Sequence, residues 1–357
     1  MNDLLLVTGA TGLVGSHVAE EARRRGVRTR ALVRSGADAE LLRSWGVELA
    51  PGDMTDAASL NAAASGATVI VHCAAKVGDW GPVEAYREIN VRGLEKLLDA
   101  AEAAGTLRRF VHISSLGVYE ARDHHGTDET EPPAARGIDG YTLTKVEAEQ
   151  LVLKHAAEQG LPAVVLRPGF IYGPRDRTVL PRLLERLRRG QVKFLGSGEQ
   201  LMNNTYVGNL VQAVFQAIER DEAAGQVYNI TDGRLVSKRE FITTIAGLAG
   251  YPPPTSAVPL GLARVLARGM EGLWKLLGKQ EAPLLSNARI KFLGLNLDFA
   301  IGKARRELAY DPQVDFTEAM AQTVQWFREQ GLAGSRAEDR PPPVPPGRAL
   351  IHPRRPQ

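Results

Sequence analysis

The 357-residue sequence contains a single cysteine, Cys73. One thiol cannot close an internal disulfide, so the fold rests on burial alone, and a reducing, cytoplasmic setting is expected. Net charge is almost as scarce. The 44 Lys and Arg oppose 41 Asp and Glu, and the excess of +3 sits in residues 334–357, where five Arg meet Glu338 and Asp339. A neutral body lacks the clustered positive charge that a phosphate backbone requires, which excludes nucleic acid as the main partner. Long hydrophobic runs are missing too. Leu4–Val7 is too short, and Met1-Asn2-Asp3 too poor in basic residues, for a secretory signal. The longest uncharged stretch, 241–263, is interrupted by Pro252-Pro253-Pro254 and is not a spanning helix. His124-His125, with Asp123 and Asp128 nearby, lack ligand spacing; they read as a solvated loop, and no metal is expected.

What is present is the composition of an ordinary globular protein, 44% hydrophobic and 24% charged. Short apolar runs at Leu4–Val7, Thr29–Val33, Val47–Leu49, Thr68–His72, Phe110–Ile113 and Val164–Leu166 alternate with stretches of helical spacing. Buried strands separated by helices imply βαβ units, hence an α/β fold with a doubly wound parallel sheet. After about residue 170 helical segments dominate (180–189, 207–219, 237–249, 257–278 and 317–330), with a short strand at Gln226–Ile230. The expected division is a dinucleotide-binding Rossmann domain over 1–170 and a smaller, mainly helical substrate lobe over 171–333. The boundary is soft, because later elements can rejoin the first domain. Residues 334–357 hold 7 of the 21 prolines and read as a disordered Pro/Arg-rich tail.

The strongest local signal is Leu4-Leu5-Leu6-Val7-Thr8-Gly9-Ala10-Thr11-Gly12-Leu13-Val14-Gly15. A buried strand enters a glycine-rich turn and then an amphipathic helix. Glycines let the backbone approach a pyrophosphate, and the helix N-terminus holds its charge. Gly9, Thr11, Gly12, Leu13, Val14 and Gly15 are therefore candidate cofactor contacts, although the spacing G-x-x-G-x-x-G departs from the generic fingerprint. An acidic residue at the end of the second strand would accept the adenosine ribose hydroxyls of NAD; here Arg34 stands there, suited to a 2′-phosphate. NADP(H) is expected over NAD(H). Asp53 and Met54, after the third strand, are placed at the adenine edge.

Two serines, Ser114 and Ser115, follow the strand Phe110–Ile113, at the sheet end where α/β folds put ligands. Tyr141 and Lys145 are four apart at the start of a helix and share one face. A phenol near pKa 10 is a poor proton donor-acceptor at neutral pH, and a nearby ammonium is expected to lower it. Tyr141 is the candidate general acid/base, and Ser115 the hydroxyl that fixes a carbonyl oxygen.

On these residues, together with GDMTD (52–56), HCAA (72–75), INVRGLEKLLDAA (89–101), HISSLGVY (112–119), YTLTK (141–145), RPGFIYGP (167–174) and NNTYVGNL (203–210), the chain resembles the extended short-chain dehydrogenase/reductase superfamily over residues 1 to about 330. The segment Lys76–Pro82 and the ending 304–327 resemble its 3β-hydroxysteroid dehydrogenase and dihydroflavonol reductase branch. The resemblance implies Ser115, Tyr141, Lys145 and Asn90 as the active-site group, with Lys145 on the nicotinamide ribose. It adds Ala74, Ala75, Lys76, Pro168 and Gly169 to the cofactor contacts. The activity implied is hydride transfer between nicotinamide and a secondary alcohol or ketone of a lipophilic substrate, steroid-like or 3-hydroxy/3-keto acyl-like. Nucleotide-sugar epimerases and dehydratases form the alternative, and a non-catalytic dinucleotide sensor a second one. In an epimerase, second-lobe arginines would grip a pyrophosphate, but Arg182, Arg186, Arg188 and Arg189 have the spacing of a solvated helix face.

Cys73 reads as a space-filling residue rather than a catalytic thiol. Trp80 suits either packing or cover over a substrate. In 260–277, Arg264, Arg268, Glu271 and Lys275 fall within an arc of about 60°, and leucines fill the rest. One reading is a helix clamped between the lobes with only its charged stripe in water. The other is a lid that also rests peripherally on a membrane, with Trp274 near the headgroups. A homodimer is a further partner expectation.

Overall fold

The computed structural model describes residues 3–279, 281–283 and 285–333; the expected tail at 334–357 lies outside them. Seven strands form one sheet: β1 (Leu4–Thr8), β2 (Arg28–Val33), β3 (Glu48–Pro51), β4 (Val69–His72), β5 (Arg109–Ile113), β6 (Ala163–Pro168) and β7 (Val227–Ile230). Their order is β3-β2-β1-β4-β5-β6-β7, and every pairing is parallel. Strands β1, β4, β5 and β6 are buried along their whole length, as a sheet covered by helices on both faces requires. Alternate residues feed two cores. Leu5, Val7, Val71, Val111 and Leu166 meet α1 (Leu13–Arg24) and α5 (Val207–Glu219) on one face. Leu6, Ile70, Phe110 and Val165 meet α2 (Ala57–Ala64), α3 (Gly93–Ala104) and α4 (Gly140–Gln159) on the other. The strand order reverses between β1 and β4, so the crevice above that pair is the expected ligand position.

After residue 170 the chain builds a second core around Tyr172, Leu184, Phe241, Ile245, Phe316 and Met320. It also returns to the sheet: α5 packs in the first domain's core and β7 pairs with β6. The sheet is thus made of two separated chain segments. His124 opens a short strand, His124–Thr127, that pairs with Leu297–Phe299, rather than the expected solvated loop. Its own side chain is fully buried, hydrogen-bonds Thr127 and the Glu120 carbonyl, and packs tilted against Phe299 at 4.5 Å. Its neighbour His125 is exposed.

The helix α6 (Leu260–Leu276) crosses α7 (Asn287–Gly294) closely. Its protein-facing arc is small: Ala263 and Ala267 are buried with Leu195 and Ile290, and a Cβ on Gly294 would lie 2.5 Å from Leu260 Cδ1. Glu271 is turned inward and accepts two hydrogen bonds from Asn287, both at 2.7 Å. The large apolar residues face out: Leu262 is 53%, Val265 67% and Leu276 83% exposed, with Leu266, Leu273 and Leu277 beside them. The clamped helix with only a charged stripe in water is therefore not what forms, and Trp274 is half-buried. The side chain of Lys275 lies outside the described set. No helix among the described residues is long and apolar enough to cross a membrane.

Candidate active site

The turn after β1 can only be built from glycine. Gly9 has φ 69°, and a Cβ on it would stand 2.8 Å from the Ala74 nitrogen. A Cβ on Gly15 would stand 2.4 Å from the Gly9 oxygen. These contacts bring the exits of β1 and β4 together, with Ala74 N donating to Thr8 Oγ1 at 3.3 Å. Gly12 caps α1 without any side-chain hydrogen bond, so no side chain closes the positive end of the helix, flanked by Thr11, Leu13 and Val14. A pyrophosphate fits that cradle by charge and by space.

Along the same crevice, Arg34 is exposed at the end of β2. Asp53 accepts the Thr55 backbone N–H at 2.9 Å and its hydroxyl at 2.7 Å. These bonds, with the charge of Arg34 nearby, hold its carboxyl below the usual range. Sequence reasoning had not paired Arg34 with Asp53. Met54 is buried against Gly93. At the other end, Gly169 follows Pro168. Its N–H meets the Ile230 carbonyl at 3.1 Å and Thr205 Oγ1 at 3.0 Å. A Cβ there would fall 1.8 Å from the Asn203 oxygen.

Between these ends lies the candidate reactive group. The two serines part company: Ser114 donates into the core, to Glu149 at 2.7 Å, while Ser115 faces the groove. Ser115 Oγ accepts the Gly117 N–H at 3.0 Å and hydrogen-bonds the Tyr141 hydroxyl. Helix α4 starts at an Asp139 N-cap, whose carboxylate accepts the Thr142 N–H at 2.7 Å. That cap sets Tyr141 opposite Ser115 in the first turn, with Lys145 one turn on. Lys145 is buried and donates to the Ile113 carbonyl at 2.6 Å. Burial pushes its ammonium down to about 8, against the pull of Glu149.

The expected lowering of the Tyr141 phenol does not occur in this arrangement. Burial pushes it up to about 12, the Ser115 hydrogen bond acts in the opposite sense, and the charge of Asp139 adds to the rise. The Lys145 ammonium is directed at β5 instead. Asn90 stands apart from the serine–tyrosine pair, in a π-helical turn. Its amide accepts the Lys76 N–H at 2.7 Å and donates to the Lys76 carbonyl and to Thr144, both at 3.0 Å. It positions the Ala74-Ala75-Lys76 segment against α4 and touches neither hydroxyl of the pair. Cys73 carries a thiol that burial pushes up to about 12, which suits packing. Beneath Lys145, the buried rings of His72 and His112 stack at 5.5 Å and are held neutral by burial and by the ammonium above.

Three contacts made by residues 279–291 with the earlier chain went unread in the sequence. Lys291 donates to the carbonyls of Gly117 at 2.8 Å and Tyr119 at 2.7 Å. Arg289 pairs with Asp79 at 2.8 Å. Trp80 Nε1 donates to the Lys279 carbonyl at 2.9 Å. Among the described residues, no cluster of His, Cys, Asp or Glu is placed to hold a metal ion.

The family model for the NAD dependent epimerase/dehydratase family matches residues 5–231. The chain belongs to this family. A ketoreductase of Stigmatella aurantiaca acting on 4-hydroxy-2-methyl-3-oxo-4-farnesyl-3,4-dihydroquinoline-1-oxide is 33% identical over 93% of this chain and 97% of its own. A 3 beta-hydroxysteroid dehydrogenase/Delta 5-->4-isomerase of Mycobacterium tuberculosis is 34% identical over 90% of each. The crystal structure of gox2253 superimposes with a TM-score of 0.79 and 30% identity, over 93% of this chain and 99% of that one. Motif, fold and relatives agree: the chain is an extended short-chain dehydrogenase/reductase, a nicotinamide-dependent oxidoreductase.

Proposed function

We propose that the enzyme reduces a ketone on a lipophilic substrate, and that the apolar wall beside the Ser115–Tyr141 pair selects that substrate. Phe170, directly after Gly169, packs tilted against Phe292 with ring centroids 4.9 Å apart. Phe292 also packs against the cluster of Leu116, Val118 and Val146 that carries the serine turn and the α4 face. The charges that a sugar-nucleotide pyrophosphate would need are elsewhere. Arg182, Arg186, Arg188 and Arg189 are exposed, two of them tied to Glu185, and Arg175 is paired with Glu20 at 2.6 Å. Relatives that act on farnesyl-quinoline and steroid substrates support the reading.

A nicotinamide cofactor, when bound, would supply the hydride. Ser115, its lone pair already engaged by the Gly117 N–H, directs its own proton at the carbonyl oxygen. Tyr141 holds its proton firmly at neutral pH and delivers it to that oxygen as negative charge develops, which favours reduction. Lys145 is the residue that would hold the ribose, and the glycine turn the pyrophosphate. Arg34 is proposed to select NADP(H) through the 2′-phosphate, in competition with Asp53 for its charge.

The test is NADPH and NADH oxidation against a panel of hydrophobic ketones and nucleotide sugars. Tyr141→Phe is expected to lower turnover by about 10²–10⁴ while cofactor binding stays near normal. Retained activity in that variant, or conversion of sugar nucleotides alone, overturns the reading.

The outward face of α6 is proposed as a contact with an anionic bilayer. Its exposed leucines lie beside the exposed Arg264 and Arg268, the pairing of apolar and basic arcs that binds membrane surfaces without crossing them. A second copy of the chain is the competing occupant.

A further inference from the structure

We infer that Lys291 is a positioning residue through which the substrate lobe sets the geometry of the catalytic serine. The inference rests on the reading of Ser115 and Tyr141 as the reacting pair, and it concerns a residue of neither the serine turn nor α4.

The path is short and continuous. Ser115 caps a single 3₁₀ turn, Leu116–Val118. Within that turn Gly117 faces two ways: its N–H donates to Ser115 Oγ at 3.0 Å, and its carbonyl accepts from Lys291 Nζ at 2.8 Å. The same ammonium takes the Tyr119 carbonyl at 2.7 Å, so it bridges both ends of the segment that follows the serine. Gly117 has no side chain to brace the turn from within; a Cβ there would crowd Ser115 Oγ at 3.1 Å. The bracing therefore comes from outside, and from the other lobe. The charge of Asp139, the N-cap of the helix that carries Tyr141, also acts on this ammonium, as does that of Glu120.

The helix that presents Lys291 is itself fastened to the first domain. Arg289 pairs with Asp79 at 2.8 Å, and the N-cap Ser286 donates to the same carboxylate at 3.3 Å. The Lys76–Pro82 segment, the serine turn and the tyrosine helix consequently all meet α7. Burial has already pushed the ammonium down to about 8, a cost that a surface lysine would avoid. A hydroxyl held for hydrogen bonding to a developing oxyanion must be placed to within a fraction of an ångström, and a shift of about 1 Å costs ~10²-fold in rate.

The experiment compares Lys291→Met, Lys291→Arg and Tyr141→Phe in the full-length enzyme, using the panel ketone that the wild type reduces fastest. Lys291→Met is expected to lose ~10²-fold in kcat, with the KM for the ketone and the Kd for the reduced cofactor within about threefold of wild type. Lys291→Arg keeps a charged donor and is expected to recover most of the loss. Hydrogen exchange of the amides of residues 115–119 in cofactor-free protein is expected to quicken in the methionine variant and not in the arginine variant. A kcat within twofold of wild type in Lys291→Met overturns the inference. So does a parallel loss of cofactor binding and turnover that arginine does not rescue, the signature of a merely structural role. If Lys291→Met does not fold, unaltered exchange at 115–119 in Lys291→Gln is the overturning result, and faster exchange the supporting one. An active Tyr141→Phe instead refutes the underlying chemistry, whatever Lys291 does.

Discussion

The buried ion pair beneath the site gives the sharpest stability test. Arg167 on β6 and Glu149 on α4 are 4% and 1% exposed at their side chains. Arg167 Nε reaches Glu149 Oε2 at 3.0 Å and Nη2 reaches Oε1, while Nη1 donates to the Tyr119 hydroxyl at 2.7 Å. Ser114 donates to the same carboxylate, and the Tyr119 hydroxyl donates to Asn229 Oδ1 at 3.0 Å. Glu149→Gln keeps the shape and removes the charge, leaving a guanidinium uncompensated in the core. Breaking one partner of such a pair costs about 3–5 kcal/mol. Against a total of about 5–15 kcal/mol for a typical domain, the loss brings the variant near its folding threshold. Removing both charges in Glu149→Leu/Arg167→Met is expected to cost less than either single change. Its residual penalty is the lost acceptor of the Ser114 hydroxyl, about 1–3 kcal/mol, because the Tyr119 hydroxyl keeps Asn229 as its acceptor. Urea unfolding followed by tryptophan fluorescence measures Glu149→Gln, the double variant and its two single components, Glu149→Leu and Arg167→Met, with m-values as the check that the transition is unchanged. A single-variant loss below about 1 kcal/mol, or a double variant as unstable as the sum of the singles, refutes the reasoning. Glu149 lies one turn beyond Lys145, and Ser114 adjoins Ser115, so the pair also holds α4 to β5 and β6 where the reactive side chains emerge.

Three further outcomes are expected. Arg34→Asp should reverse or flatten a preference for NADPH worth about ten- to a hundredfold; equal affinities for both cofactors by calorimetry, unchanged in the variant, would falsify the 2′-phosphate contact. Wild-type protein should sediment with anionic liposomes at low salt, and Leu273→Ser/Leu276→Ser should not. Absence of binding, or a dimer in light scattering that the same changes dissolve, removes the bilayer from α6. Stability should also rise with pH between about 7 and 9.5. Burial holds Lys238 at about 7, and Lys145 and Lys291 at about 8, against a usual lysine value of 10.5. Over that window the unfolded chain binds more protons than the folded one, so raising the pH favours folding. Above about 10 the raised Tyr141 phenol reverses the trend. A urea midpoint that falls from pH 7 to 9.5 contradicts the assignment.

The parallel sheet was legible because its strands are buried on both faces and so appear as unbroken apolar runs between helices. The phosphate turn was legible because its glycines answer a local demand: Gly9 and Gly15 collide with their own neighbourhood if given a side chain. What stayed hidden depends on chain segments far apart in sequence. His124 looks like loop chemistry until Phe299 packs against it from the far end of the chain. Lys291 and Arg289 look like the wet side of a helix, yet their partners lie 174 and 210 residues earlier. The Tyr141 phenol illustrates the same limit in energy rather than position. Spacing placed a lysine on its helix face, but a carbonyl on β5 takes that lysine's proton donor, and burial then decides the sign of the shift.

Helix α6 shows where pattern alone stops. Its sequence contains a basic arc and a broad apolar arc, and a broad apolar arc ordinarily means a buried helix. Here the buried part is the narrowest and smallest, Ala263 and Ala267, because α7 approaches so closely that Gly294 has room for nothing larger against Leu260. Small residues at the contact let two helices come near enough to share the polar bonds of Glu271 and Asn287. The leucines are then turned away from the protein, not into it. Periodicity specifies which residues travel together on a face; only the size of the neighbour across the gap decides which face is inside. That is why a membrane-facing lid and a clamped core helix share one sequence pattern, and why Leu276, at 83% exposed, rules out only the clamped one.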